Sequence, residues 1–175
     1  MKKVIKSGLI ALIVLTICAC GDGYKTVKIG NQTWMAENLN DASKGGVCYD
    51  NDPANCKKYG RLYTLDEAMK ACKKGWHLPN NAEWEALVDF AGGKSVAGRK
   101  LKDRTNGGDG ADEYGFSALL GGKGYSNGGF NGVGDDGIWW SVNGYEWYVE
   151  YGNSKVGRSR NDDYLFSVRC IRDVH

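Results

Sequence analysis

The chain predicts an α+β domain. Two N-capped amphipathic helices fall together in the middle of the sequence. A second half dense in Gly, Asn, Asp and aromatic residues follows, broken into short strand-like runs. Helices and strands are thus grouped rather than alternating, which argues against a parallel βαβ sheet. At 175 residues, one compact domain is expected.

A polar lead enters a first strand near Thr26–Ile29, and "NQTWMAENL" (Asn31–Leu39) reads as further extended chain. Cys48 to Cys56 encloses "YDNDPAN", a turn-rich loop around Pro53. Thr64 and Glu67 fit a capping box, in which each side chain satisfies the other residue's backbone N–H. Leu65, Ala68, Met69 and Cys72 then share one helix face, so all four are predicted to point inward. Gly75 ends this helix, "WHL" (Trp76–Leu78) is strand-like, and Pro79 stops it. Asn80 opens a second helix with Glu83 three residues on, and Trp84, Leu87, Val88 and Ala91 form its apolar stripe. Gly92 and Gly93 close it, and a short third helix is expected around Ser95–Leu101. The clearest later strands are Gly137–Val142, Glu146–Tyr151, Ser154–Ser159 and Phe166–Arg172.

The first residues read as an export signal. Lys2, Lys3 and Lys6 precede an apolar run, Gly8–Ala19, of about a dozen residues, too short to cross a bilayer core of roughly 30 Å as a helix. Its end, "ICACG", resembles a bacterial lipobox with Cys20 as the lipidated residue; an ordinary signal cut nearby is the alternative. The expected organisation is a signal peptide at 1–19, a lipidated tether at 20–25 and a domain at 26–175. The residue after Cys20 is Gly21 rather than Asp, so by the same resemblance the expected address is the outer membrane. Removing residues 1–19 removes three lysines and no acid, leaving 20 basic against 21 acidic side chains, a formal charge of −1. That balance offers no basic stripe for nucleic acid. Cys48, Cys56, Cys72 and Cys170 remain in an exported chain, which predicts two disulfides with three possible connectivities. No CxxC pair supports zinc instead.

Several stretches together resemble one family. They are "IGNQTWMAENLN" (Ile29–Asn40), "CYDNDPANCKKYGRLYTLDEAM" (Cys48–Met69), "GWHLPNNAEWEAL" (Gly75–Leu87), "GGFNGVGDDGIWWS" (Gly128–Ser141) and "SVRCIRD" (Ser167–Asp173). They resemble the Fibrobacter succinogenes major paralogous domain family, over nearly all of the mature chain. "Leu78-Pro79" followed by "Glu83-Trp84-Glu85" is also similar to the formylglycine-generating, sulfatase-modifying branch of the C-type-lectin-like superfamily. The resemblance implies a C-type-lectin-like domain with two main helices, short antiparallel strands and long Gly-rich loops. It also implies the pairing Cys72–Cys170, with Cys48–Cys56 as a local clip.

Candidate chemistry is sparse. Gly132–Gly137 matches G-x-G-x-x-G, but strand-like residues follow where a dinucleotide site needs a helix, so a tight turn is expected. Asp135 and Asp136 offer hard oxygen ligands, making calcium a possible cofactor. His77 reads as structural, and His175 is terminal. The lectin-like resemblance puts a binding face before the last strand. There the chain offers Trp139, Trp140, Asn143, Tyr145, Trp147, Arg158, Arg160, Asn161 and Asp162 for a glycan or protein ligand. Trp139 and Trp140 point to opposite faces of a strand, so one is expected in the core and the other is free to stack on a sugar. Sulfatase-modifying chemistry needs a reactive cysteine pair late in the domain, where this chain has Cys170 alone. The expectation is therefore a lipid-anchored binding or adhesion module of the cell envelope, with a formylglycine-generating type of oxidase or a purely structural envelope protein as the alternatives.

Overall fold

The computed structural model describes residues 23–105, 109–160 and 163–174. The chain begins with a hairpin, β1 (Thr26–Ile29) and β2 (Gln32–Met35), turned at Gly30. Two short 3-10 turns, Ala42–Lys44 and Tyr49–Asn51, lead to α1 (Pro53–Tyr59). Then come β3 (Leu62–Tyr63), α2 (Leu65–Ala71), β4 (Trp76–His77), α3 (Asn81–Phe90) and α4 (Ala97–Leu101). The second half is strand: β5 (Gly121–Tyr125), β6 (Phe130–Val133), β7 (Asp136–Trp140), β8 (Glu146–Glu150), β9 (Val156–Ser159), β10 (Tyr164–Ser167) and β11 (Ile171–Arg172).

The strands form two sheets. One has the order β1-β2-β11-β4, and the other β6-β5-β10-β7-β8-β9, with β3 paired to β10. All pairings within the named strands are antiparallel except β10 with β7. The chain thus closes on itself: Ile171 sits opposite both Trp34 near the start and His77 in the middle.

Both capping boxes form. Thr64 Oγ1 accepts from the Glu67 N–H while Glu67 accepts from the Thr64 N–H, and Asn80 and Glu83 do the same for α3. On α3 the predicted stripe is the buried one: Trp84, Leu87, Val88 and Ala91 are each at most 3% exposed. On α2 the prediction fails in part. Ala68 and Ala71 are fully buried but Met69 is 46% exposed. The helix is only two turns long and its C-cap is Cys72, whose direction is set by its bond to Cys170 rather than by helical period.

Two further expectations are corrected. The loop between Cys48 and Cys56 contains the start of α1, with the Asp52 side chain capping the Ala54 N–H and Pro53 in the first turn. The single strand expected over Phe166–Arg172 is two strands in two different sheets. Its middle residues, Val168, Arg169 and Cys170, are fully buried where the chain crosses between them.

The core lies in two clusters, one on each side of the β7–β10 region. Trp34, Trp84, Phe116, Trp139 and Trp147 lead the cluster under α3, and Tyr63, Trp76, Trp140, Phe166 and Val168 the one under α2. A buried aromatic side chain removes about 150–250 Å² from water, worth roughly 4–6 kcal/mol gross at ~25 cal/mol/Å² before conformational entropy opposes it. Two disulfides close the frame: Cys48–Cys56 and Cys72–Cys170, the latter spanning 98 residues with Cα atoms 5.8 Å apart.

Candidate functional site

The aromatic residues expected to offer a stacking surface are spent inside the protein. Trp139 and Trp140 do face opposite sides of β7, but both sides are covered, and the two are 2% and 0% exposed. Their ring N–H groups are used internally, Trp139 donating to Asn38 Oδ1 and Trp140 to the Tyr63 carbonyl, each at 2.8 Å. Trp147 stacks on Trp84 with ring centroids 6.0 Å apart and donates to Asn81 Oδ1 at 3.0 Å. None of the three can present its ring to a ligand. The error lies in treating β7 as a strand with a solvent face, when it sits inside the larger sheet with a helix on either side.

A smaller patch survives at the surface, on the β7–β8 turn and β9. Tyr145 is half-buried, and the guanidinium carbons of Arg158 and Arg160 lie 5.2 Å and 5.9 Å from its ring centroid. Arg158 also lies 5.4 Å from the Trp147 ring and donates to Glu85 Oε1 on α3 at 2.7 Å. These contacts fix the guanidinium plane, because Arg stacks on aromatic faces while its fork holds a carboxylate. Asn143, exposed on the turn, accepts from the Asn81 N–H at 2.8 Å and so ties the turn to the first residue of α3. The Val142 N–H donates to the Pro79 carbonyl and does the same from the other side. Ser159 and Glu146 are hydrogen-bonded across the β8–β9 pair. Tyr145, Arg158, Arg160 and Asn143 are therefore brought together, as the sequence suggested, whereas Asn161 and Asp162 lie outside the described residues.

The Gly132–Gly137 stretch joins β6 to β7 as a strand–turn–strand unit. Gly132 and Gly134 hold positive φ, and the Asp135 N–H bonds back to the Gly132 carbonyl. A helix-capped phosphate cradle is not formed. Asp135 is exposed. Burial, with the neighbouring carboxylates of Glu150 and Asp135, pushes Asp136 above the usual carboxylate range against the pull of Lys123. Among the described residues, no three His, Cys, Asp or Glu side chains are grouped to hold a metal ion.

His77 occupies a defined position. Its Nδ1 lies 2.6 Å from Asp173 Oδ1 and its Nε2 2.8 Å from Glu83 Oε1. A neutral imidazole carries one N–H and could bond only one of the two carboxylates as donor. With both partners ionised, making both contacts takes the imidazolium, an arrangement that suits a structural clamp. Cys170 is fully buried and bonded to Cys72, so its sulfur is neither a thiolate nor a metal ligand in this state.

Two polar anchors were not anticipated. Arg169 is fully buried and donates to Asn38 Oδ1 and to the carbonyls of Met35, Phe116 and Ser117. Lys102, also fully buried, donates to the carbonyls of Glu150 and Asn153 and pairs with Asp109. The carbonyls and the Asn38 side chain that they bond are far away in sequence, so no local pattern marks them. Lys102 fixes the turn after β8, and through it the strand pair that carries the Tyr145 patch. Cys20 and residues 1–19 lie outside the described residues, as does His175.

The family model described as the Fibrobacter succinogenes major domain matches residues 27–172. The chain belongs to that family. No curated protein matches it, and no solved structure matches it.

Proposed function

We propose that this member of the Fibrobacter succinogenes major domain family is a non-catalytic binding module of the cell envelope, exported, lipid-anchored through Cys20 and addressed to the outer membrane. Its scaffold is of the C-type-lectin-like kind, and its ligand is a glycan. The observation that carries the reading is the Tyr145 ring with the Arg158 and Arg160 guanidiniums against it and Asn143 and Glu85 nearby. A sugar ring offers C–H groups to an aromatic face and hydroxyls to fixed donors and acceptors at its rim. A rigid aromatic with polar neighbours suits that recognition. The patch is pinned from below by Trp147 and Asn81, so little order has to be created on binding.

A protein ligand is the second version of the same reading, since Tyr and Arg are also the residues that dominate protein interfaces. An oxidase of the formylglycine-generating type has less support. It needs a reactive cysteine pair, and the buried Cys72–Cys170 bond occupies the one late cysteine.

Glycan-array screening of the oxidised mature chain tests the proposal, with pull-down from envelope extract for the protein version. Tyr145→Ala and Arg158→Ala should each weaken the selected ligand about tenfold or more while leaving the fold intact. Binding that survives both substitutions would remove the patch from consideration. Lipidation is read separately, by palmitate-analogue labelling of the full chain against Cys20→Ser.

A further inference from the structure

We infer that the face around Tyr24 lies against the membrane and takes anionic phospholipid headgroups; this rests on the lipid-anchor reading of Cys20. Tyr24 is where the chain first becomes fixed to the domain. Its ring meets Trp76 edge-on at 5.3 Å, and Lys73 Nζ lies 4.7 Å above it. Only Gly21, Asp22 and Gly23 separate Tyr24 from Cys20. At ~3.5 Å per extended residue, the lipid attachment stands no more than about 14 Å from the packed tyrosine. So short a tether leaves the domain little freedom to turn, and the side chains around Tyr24 must lie next to the headgroups.

Six of those side chains are cationic. Arg172 lies 5.0 Å from the Trp76 ring centroid, on the same aromatic pair. Lys44 lies in the 3-10 turn capped by Asp41, and that turn packs against α2. Lys25 is exposed one residue beyond Tyr24 and is paired with Glu37, while Lys70 and Lys74 are exposed close to Lys73 in sequence. Asp22 in the tether, Glu37, Asp41, Glu67 and Asp173 are the acidic neighbours. Lys70, Lys73, Lys74 and Arg172 nonetheless put a basic group on the segments that meet Tyr24 and Trp76. Long lysine side chains can keep their stems on the protein and their ammonium groups among lipid phosphates. A second copy of the chain, or nucleic acid, would not explain why the basic residues gather where the lipid would emerge.

The test needs the orientation and not the cellular lipidation. The other four cysteines of chain 20–175 are paired, so the Cys20 thiol can be coupled to a maleimide lipid. The coupled chain is placed on phosphatidylcholine vesicles with or without phosphatidylglycerol, and lysine acetylation rates are read by mass spectrometry. Acetylation of Lys70, Lys73 and Lys74 should slow about threefold or more on the anionic vesicles, with the effect fading in high salt. Lys58 on α1 and Lys155 before β9 should be unaffected. The triple variant Lys70→Gln, Lys73→Gln, Lys74→Gln should lose the lipid-dependent slowing at Lys44. Equal rates on both vesicles, or equal slowing at every lysine, would overturn the inference. Failure of the lipid-anchor reading would appear elsewhere, as an unlabelled Cys20 in the palmitate experiment, because the coupling here is chemical.

Discussion

Arg169 Nε donates to Asn38 Oδ1 at 2.8 Å across 131 residues of sequence, and both side chains are buried. The same Asn38 oxygen accepts from the Trp139 ring N–H, and its amide donates to the Tyr59 carbonyl and to Ser167 Oγ. The guanidinium in turn ties Met35 to the Phe116–Ser117 loop and lies 4.4 Å from the Phe116 ring centroid. Burial pulls the Arg169 pKa down to about 9, still well above neutral pH, so the charge persists and is spread over carbonyl dipoles. Replacement by Met should orphan several buried acceptors at roughly 1–3 kcal/mol each, for a total loss of about 3–5 kcal/mol in urea unfolding. Lys should not rescue it, since a point charge cannot serve a forked set of acceptors. A loss below about 1 kcal/mol for Arg169→Met would show that the hub is dispensable.

The clamp on His77 predicts a pH dependence. Burial works against its charge, but the hydrogen bonds to Asp173 and Glu83 more than offset that, and the pKa is raised above the ordinary value of 6.5. A raised folded value means the stabilisation is complete below the unfolded pKa and disappears as pH rises through the folded one. The melting temperature should therefore fall through a step on the alkaline side of 6.5 that His77→Gln lacks. The ring protons followed by NMR must titrate with a midpoint above 6.5; a midpoint below it contradicts the doubly bonded imidazolium.

The two disulfides should differ in worth. In the chain-entropy model, closing a loop of about a hundred residues contributes roughly 4.7 kcal/mol and one of about nine roughly 2.6 kcal/mol. Cys72→Ser with Cys170→Ser should accordingly cost more stability than Cys48→Ser with Cys56→Ser, measured in denaturant without reductant. The reverse order would mean that the long bridge acts on an unfolded state already compact.

How much of this was legible in advance depended on how local the signal was. Both capping boxes and the α3 stripe are written within ten residues, and they formed. The helix after Asp52-Pro53 also had a local start signal, but the surrounding turn residues masked it. Met69 was misplaced because a seven-residue helix ending at a cross-linked cysteine does not obey an extended period. Trp139 and Trp140 were misread because alternation shows that two faces exist and not whether each is covered. Arg169 and Lys102 were invisible for another reason: their acceptors are backbone carbonyls brought close only by the closed fold. At the candidate site, Tyr145 and the two arginines could be named from sequence, whereas their shared geometry depends on the β8–β9 register.

That register supplies the last prediction. Tyr148 is paired with Gly157, and the far end of its ring lies over the bare backbone. A Cβ at position 157 would stand 2.1 Å from Tyr148 Cζ, so Gly157→Ala must displace the ring. The ring is half-buried and packs against the α2-side cluster, so displacement should cost about 1–3 kcal/mol. In a Tyr148→Ala background the obstacle is gone, and the same substitution should be neutral or stabilising by up to about 1 kcal/mol, as Ala replaces Gly in a strand. A double-mutant cycle by urea unfolding should then show a coupling of about 1 kcal/mol or more between the two positions. Additive effects would mean that the ring already has room to move. If the coupling holds, Gly157→Ala should also disturb the Trp147–Arg158 pair, its neighbour in the ladder, and with it the Tyr145 patch.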